Sequence, residues 1–227
     1  KKSVSKDGAI AGFIVGMISC TFGGFRGTFI LLVFFISSSK LTKFKEALKR
    51  KIELGHKAGG QRNYVQVLAN SFVGCICIIC FAITAVGDTT DWCKYLYAKE
   101  VPINDNTFFW SGLFLIGYIS HYACCNGDTW ASEIGTASGS GSPLLLVGVS
   151  SNKTPILFSR VPRGTNGGIS LIGTVASIMG GLFIGISYSV IDLFINFETF
   201  NLLQFVEPCL FATFAGFCGS MIDSLLG

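Results

Sequence analysis

Apolar residues run through this chain in long blocks, and what separates the blocks is polar, charged or rich in glycine. Six blocks stand out: residues 8–24, 27–38, 63–86, 107–125, 169–191 and 205–226. A helix crossing the hydrocarbon core of a bilayer needs about 20 mostly apolar residues. The longer blocks meet that length, and the first two are short. The short alternating segments of a transmembrane barrel are absent. The pattern therefore predicts an all-α, polytopic membrane protein with a glycine-rich packed bundle. The first two blocks meet at Gly23-Gly24 and Arg26, which suits either a tight helical hairpin or one kinked helix.

Small residues recur at helical spacing. Gly8, Gly12 and Gly16 repeat every four residues, as do Gly173, Ser177, Gly181 and Gly185. Such faces let helix backbones approach closely in lipid. In residues 63–86 the polar amides Asn63, Gln66 and Asn70 share one face of the first two turns, next to Arg62, and are expected to line a cavity.

Composition agrees. Half of the 227 residues are hydrophobic and 13% are charged, against about 25% charged in a soluble domain. Mean hydropathy is +0.59. The nine cysteines do not form paired Cys-x-x-Cys motifs, and most sit in apolar runs, so they read as small buried side chains. The chain reads as one transmembrane domain, residues 1–227. A basic loop over 40–62 and a loop rich in Gly, Ser and Pro over 136–168 interrupt it. It starts at Lys1 without methionine and stops at Gly227 directly after a helix, which reads as a domain cut at both ends.

Charge sets the direction. With the N-terminus cytoplasmic and six spans, only Arg26, Lys94 and Lys99 of the 17 basic residues lie on the far side. Five polar stretches then fall on the cytoplasmic face. They are the Lys40 end of the second block, the Gly59-Gly60-Gln61-Arg62-Asn63 start of the third, Asn126 to Glu133 after the fourth, the Arg160-to-Gly168 loop, and Asp223 near the end.

Their contents suggest a chemistry. Carboxylates at membrane depth are costly and point to function. Asp128, Glu133 and Asp223 are expected as catalytic acids that hold Mg²⁺, an ion that takes oxygen ligands and keeps waters for substrate phosphates. Arg160, Arg163, Gly164, Thr165, Asn166 and Gly167 form a basic, glycine-rich lead into a helix, which favours an anion and is expected to hold nucleotide phosphates. Lys40, Arg62, Asn63, Gln66 and Asn70 are expected to receive the acceptor. Metal, anion cradle and a cavity open to the bilayer suit phosphoryl transfer on a lipid. Nucleic acid is not an expected partner. A transporter or flippase, and a non-enzymatic membrane subunit, are the alternatives.

Several runs resemble the transmembrane protein 19 family: Phe34-Phe35-Ile36-Ser37-Ser38-Ser39-Lys40-Leu41-Thr42-Lys43, Gly59-Gly60-Gln61-Arg62-Asn63-Tyr64-Val65-Gln66-Val67, Gly127-Asp128-Thr129-Trp130-Ala131-Ser132-Glu133, Val161-Pro162-Arg163-Gly164-Thr165-Asn166-Gly167-Gly168 and Asp223-Ser224-Leu225-Leu226-Gly227. The polar insertion over 88–106 resembles the eukaryotic branch. That family includes the plant phytyl-phosphate kinase. The resemblance implies conversion of an isoprenyl monophosphate to a diphosphate, with CTP as a donor. It points to an endomembrane of ER type, or a plastid envelope for a plant chain.

Overall fold

The computed structural model describes residues 4–43, 62–86, 105–138, 141–149, 155–198 and 201–226. Along them run α1 (Lys6–Lys43), α2 (Tyr64–Ala69), α3 (Phe72–Val86), α4 (Asp105–Ala137), β1 (Leu144–Val149), β2 (Pro155–Arg160), β3 (Gly168–Ile169), α5 (Leu171–Ile195) and α6 (Leu202–Leu226). Helices α1, α5 and α6 are each long and apolar enough to cross a membrane. Many large side chains point outward, among them Phe13, Phe214 and Leu210 at 70%, 67% and 64% exposure. Such a surface is unfavourable in water and natural against lipid.

Helix α1 is the hairpin. Gly24 has φ 54° and ψ −145°, a conformation open to glycine and costly for other residues, and the helix reverses there. The two arms then run side by side, since Gly8, Gly12 and Gly16 of the first and Leu31, Phe34 and Phe35 of the second line one cavity. Tyr118 of α4 pins the turn, donating from its hydroxyl to Gly27 O at 2.7 Å.

The third block departs from a single span. It breaks at Asn70-Ser71 into α2 and α3. Asn63 caps α2, and its side chain and that of Gln66 exchange bonds with each other's backbone in a capping box. The fourth block is longer than 107–125, because α4 continues to Ala137 without interruption. The 136–168 loop contains a small antiparallel sheet of order β2-β1-β3, with Leu144 opposite Arg160 on one side and Ile169 on the other. Most of the basic 40–62 loop and of the 88–106 insertion, with Trp92, Tyr95 and Tyr97, lies outside the described residues.

The core joins the second arm of α1 to α3, α4, α5 and α6 through Ile30, Phe34, Ile78, Tyr118, Tyr122, Ile184 and Ala212, with Ile18 and Phe22 of the first arm packed against it. In lipid, apolar burial itself supplies little drive, so close backbone packing must hold helices together. Helices α4, α5 and α6 achieve it. A Cβ added at Gly127 would lie 2.8 Å from the Gly216 backbone and 2.9 Å from Ser177 O. The Gly173, Ser177, Gly181, Gly185 face is thus a true contact surface. The Gly8, Gly12, Gly16 face is one only at Gly8, which packs on the Arg62 carbonyl; a Cβ at Gly12 or Gly16 would meet nothing within 4 Å. Asn126, fully buried, ties α1 to α5 by accepting from Ser37 Oγ at 2.7 Å and donating to Gly180 O at 2.8 Å.

Candidate functional site

One polar cleft of about 170 Å³ opens where α4, α5, α6 and the sheet-to-helix loop meet. Helix α4 brings Asp128, α6 brings Asp223, and residues 163–168 form the facing wall. Asp128 is half-buried and Asp223 exposed. The two carboxylates are close enough for their charges to interact, and Ser220 lies beside Asp128. Hydroxyls of Ser132, Thr136, Ser170, Thr174, Ser177 and Ser224 also line the cleft.

The loop wall is built from turns. Val161 N donates to Pro143 O at 2.9 Å, which anchors the loop where it leaves β2. Thr165 Oγ1 donates to Pro162 O at 2.7 Å, and Gly168 N donates to Thr165 O at 3.1 Å. Gly164 and Gly167 have φ of 80° and 76°, so glycine is what lets the chain turn twice. Arg163 Nε donates to Gly141 O at 3.0 Å, holding the guanidinium at the cleft wall. The loop then pairs through β3 with β1 and enters α5. Ser170 caps that helix by accepting from Gly173 N at 3.1 Å. The first amides of a helix lack intrahelical partners, so the cleft receives a helix N-terminus with its positive dipole end.

Of the acids expected together, two meet and one does not. Glu133 is buried and is absent from the cleft wall. The reason is the uninterrupted α4. Five residues along a helix turn about 140°, so Asp128 and Glu133 face different ways. Among the described residues no group of three His, Cys, Asp or Glu side chains is placed to hold a metal. Asp128 and Asp223, with the surrounding hydroxyls, remain an oxygen-donor set suited to Mg²⁺ shared with phosphates.

Arg163, Gly164, Thr165, Asn166 and Gly167 all line the cleft. Arg160 does not. It ends β2 opposite Leu144 and is exposed. The expected acceptor set also lies elsewhere. Asn63 and Gln66 serve the α2 cap, Gln66 is exposed, and Lys40 is exposed at the last turn of α1. Arg62 and Asn70 line a second, apolar cavity. The Arg62 guanidinium sits 5.7 Å from the centre of the Phe34 ring. Burial pulls its pKa below the ordinary arginine value, with Cys125 acting the other way. His121, seven residues before Asp128, is bonded through Nε2 to Asn70 O at 3.0 Å and does not line the cleft.

The match to known proteins covers all of this. The sequence fits the family described as integral membrane protein DUF92 over residues 1–227. The chain belongs to that family. It is 39% identical to Protein PGR of Arabidopsis thaliana, over all of this chain and 72% of that protein. It is 28% identical to Protein VTE6, chloroplastic, of the same plant, over 80% of this chain and 45% of that protein. An uncharacterised membrane protein of Methanocaldococcus jannaschii is 29% identical over all of this chain and 75% of its own. No solved structure matches.

The hydroxyls of this DUF92 chain's cleft are what the sequence reading missed. A signal existed. Ser170, Thr174 and Ser177 fall at i, i+4 and i+7, and Ser220 and Ser224 bracket Asp223 at i and i+4. Each set occupies one helix face.

Proposed function

We propose that the cleft is a phosphoryl-transfer site, carrying a phosphoryl group from a nucleoside triphosphate to an isoprenyl-type lipid monophosphate at the cytoplasmic face. One observation carries the reading: Asp128 and Asp223 stand across a single cleft from the Arg163-to-Gly168 loop and the α5 N-terminus. Anion-binding and cation-binding walls facing each other across a small polar space are what a metal-bridged polyphosphate requires.

Mg²⁺ held by Asp128 and Asp223 would neutralise charge that builds on the phosphates. The chain's own groups do the rest. The loop amides and the helix terminus hold equatorial oxygens, Arg163 offsets negative charge, and the hydroxyls of Thr174 and Ser220 orient bound phosphate. Transfer of this kind depends on alignment and charge stabilisation more than on a covalent nucleophile. The resemblance to the family that includes the plant phytyl-phosphate kinase supports an isoprenyl acceptor and CTP as donor. VTE6, a chloroplastic protein by its name, makes a plastid envelope the compartment to test beside an endomembrane.

The experiment is direct. Purified protein with Mg²⁺, labelled CTP or ATP and an isoprenyl monophosphate should form the diphosphate. Asp128→Asn should cut it by roughly a hundredfold or more. Unchanged turnover in that variant would overturn the assignment.

A further inference from the structure

The apolar cavity between the arms of α1 belongs to no part of the cleft. Its volume is about 350 Å³, and its walls include Gly12, Gly16, Leu31 and Phe34. Glycines repeating every four residues normally mark a helix contact. Here a Cβ on Gly12 or Gly16 would meet nothing within 4 Å, so the bare helix face borders a slot instead of a neighbour. One cation, Arg62, lines the same slot. Its guanidinium stacks over Phe34, and no carboxylate among the described residues pairs with it. Of the other polar groups there, the Asn70 backbone O is bonded to His121, and Ser71 Oγ donates to Val67 O at 2.6 Å.

We propose that this slot holds the hydrocarbon chain of a single-chain lipid whose phosphate head is bound by Arg62. The volume is near the lower end of the roughly 300–1,000 Å³ of ligand pockets, which suits one chain and not two. Apolar walls with one cation among the described residues match an amphiphile with an anionic end. A planar guanidinium binds phosphate through two parallel hydrogen bonds, and partial desolvation strengthens them. The inference does not depend on phosphoryl transfer in the cleft, because binding is read without turnover.

The test is saturable binding of tritiated hexadecyl phosphate to the purified protein in zwitterionic nanodiscs, with hexadecanol and inorganic phosphate as comparators. Gly12→Leu and Gly16→Leu each fill the slot from a position with open space around it. Each should weaken hexadecyl phosphate at least about tenfold while melting like the wild type; two independent positions guard against one variant misfolding. Arg62→Gln should weaken hexadecyl phosphate about tenfold and leave hexadecanol unchanged. Wild-type binding in both folded leucine variants would overturn the proposal. So would equal losses for hexadecanol and hexadecyl phosphate in Arg62→Gln. Displacement by millimolar inorganic phosphate would indicate a bare anion site and would overturn the role of the chain.

Discussion

Arg26 Nε donates to Asp192 Oδ1 at 2.6 Å, joining the tip of the α1 hairpin to the last turn of α5. Asn196 Nδ2 donates to the same carboxylate oxygen at 3.1 Å. From Ser170 at the cleft to Asp192 is about 33 Å of helix, so the pair lies at the opposite end of the bundle from the site. An arginine in a turn between two apolar arms needs a counter-charge where water is scarce, and Asp192, 8% exposed, supplies it. Removing one member strands the other. Arg26→Gln or Asp192→Asn should each cost about 3 kcal/mol of stability. Arg26→Met combined with Asp192→Leu should cost less than the two single losses added together. Unfolding in mixed micelles measures all three.

Asn126 makes a second kind of tie. It has no exposed surface, and both ends of its amide are used, by Ser37 and by Gly180 O. Asn126→Leu removes both bonds and leaves the Gly180 carbonyl without that donor. The expected cost is about 2 kcal/mol. Ser37→Ala removes one bond, and Ser37 Oγ is also bonded to Phe34 O, so its cost should be smaller, about 1 kcal/mol. Melting temperatures of the two variants, compared in one detergent, check the order.

These ties show where sequence reading reaches its limit. Apolar blocks were enough to place the long helices, because block length is a local property, but they left the first two blocks open between a hairpin and one kinked helix. The Arg163-to-Gly168 loop was legible for the same reason: glycines, a cation and a helix start are adjacent in the chain. Glu133 groups with Asp128 in the sequence, though the structure does not bring it to the cleft, because nothing in residues 126–133 marks where α4 stops. Treated as a loop, the stretch lets both acids reach one place; as continuous helix it separates them. Asn63 and Gln66 were read as cavity amides because the break at Asn70-Ser71 makes α2 a separate short helix that needs its own cap. The sheet in 144–169 was missed because its strands pair across chain that carries no alternating pattern.

Glycines in this chain divide into those that pack and those that do not, and substitution should separate them. Gly127→Ala places a Cβ 2.8 Å from the Gly216 backbone, which cannot yield without parting α4 from α6. A loss of about 2 kcal/mol is expected, and because Gly127 neighbours Asp128 the cleft should lose ligand affinity too. Gly12→Ala meets nothing. It should be neutral or stabilise by up to about 1 kcal/mol, the helix propensity gain of alanine over glycine. Unfolding measurements on the pair give the contrast directly.

The acids of α4 provide the sharpest comparison for the proposed reaction. Asp128 lines the cleft with Asp223, whereas Glu133, on the same helix, is buried away from it. Asp128→Asn keeps the shape and removes the charge, and so does Glu133→Gln. If two carboxylates hold Mg²⁺ against the transferred phosphate, losing either should cut turnover by roughly a hundredfold or more, the scale of removing one group that stabilises developing charge. Asp223→Asn should therefore resemble Asp128→Asn, and raised Mg²⁺ should partly restore both, because the remaining carboxylate still binds the ion weakly. Glu133→Gln should lose at least an order of magnitude less in rate and show no Mg²⁺ dependence beyond the wild type, its effect appearing in the melting temperature. Steady-state diphosphate formation across a Mg²⁺ titration distinguishes the three variants. A Glu133→Gln profile that matched Asp128→Asn would place the third carboxylate in the metal site after all, and would require α4 to break or rotate when phosphate binds.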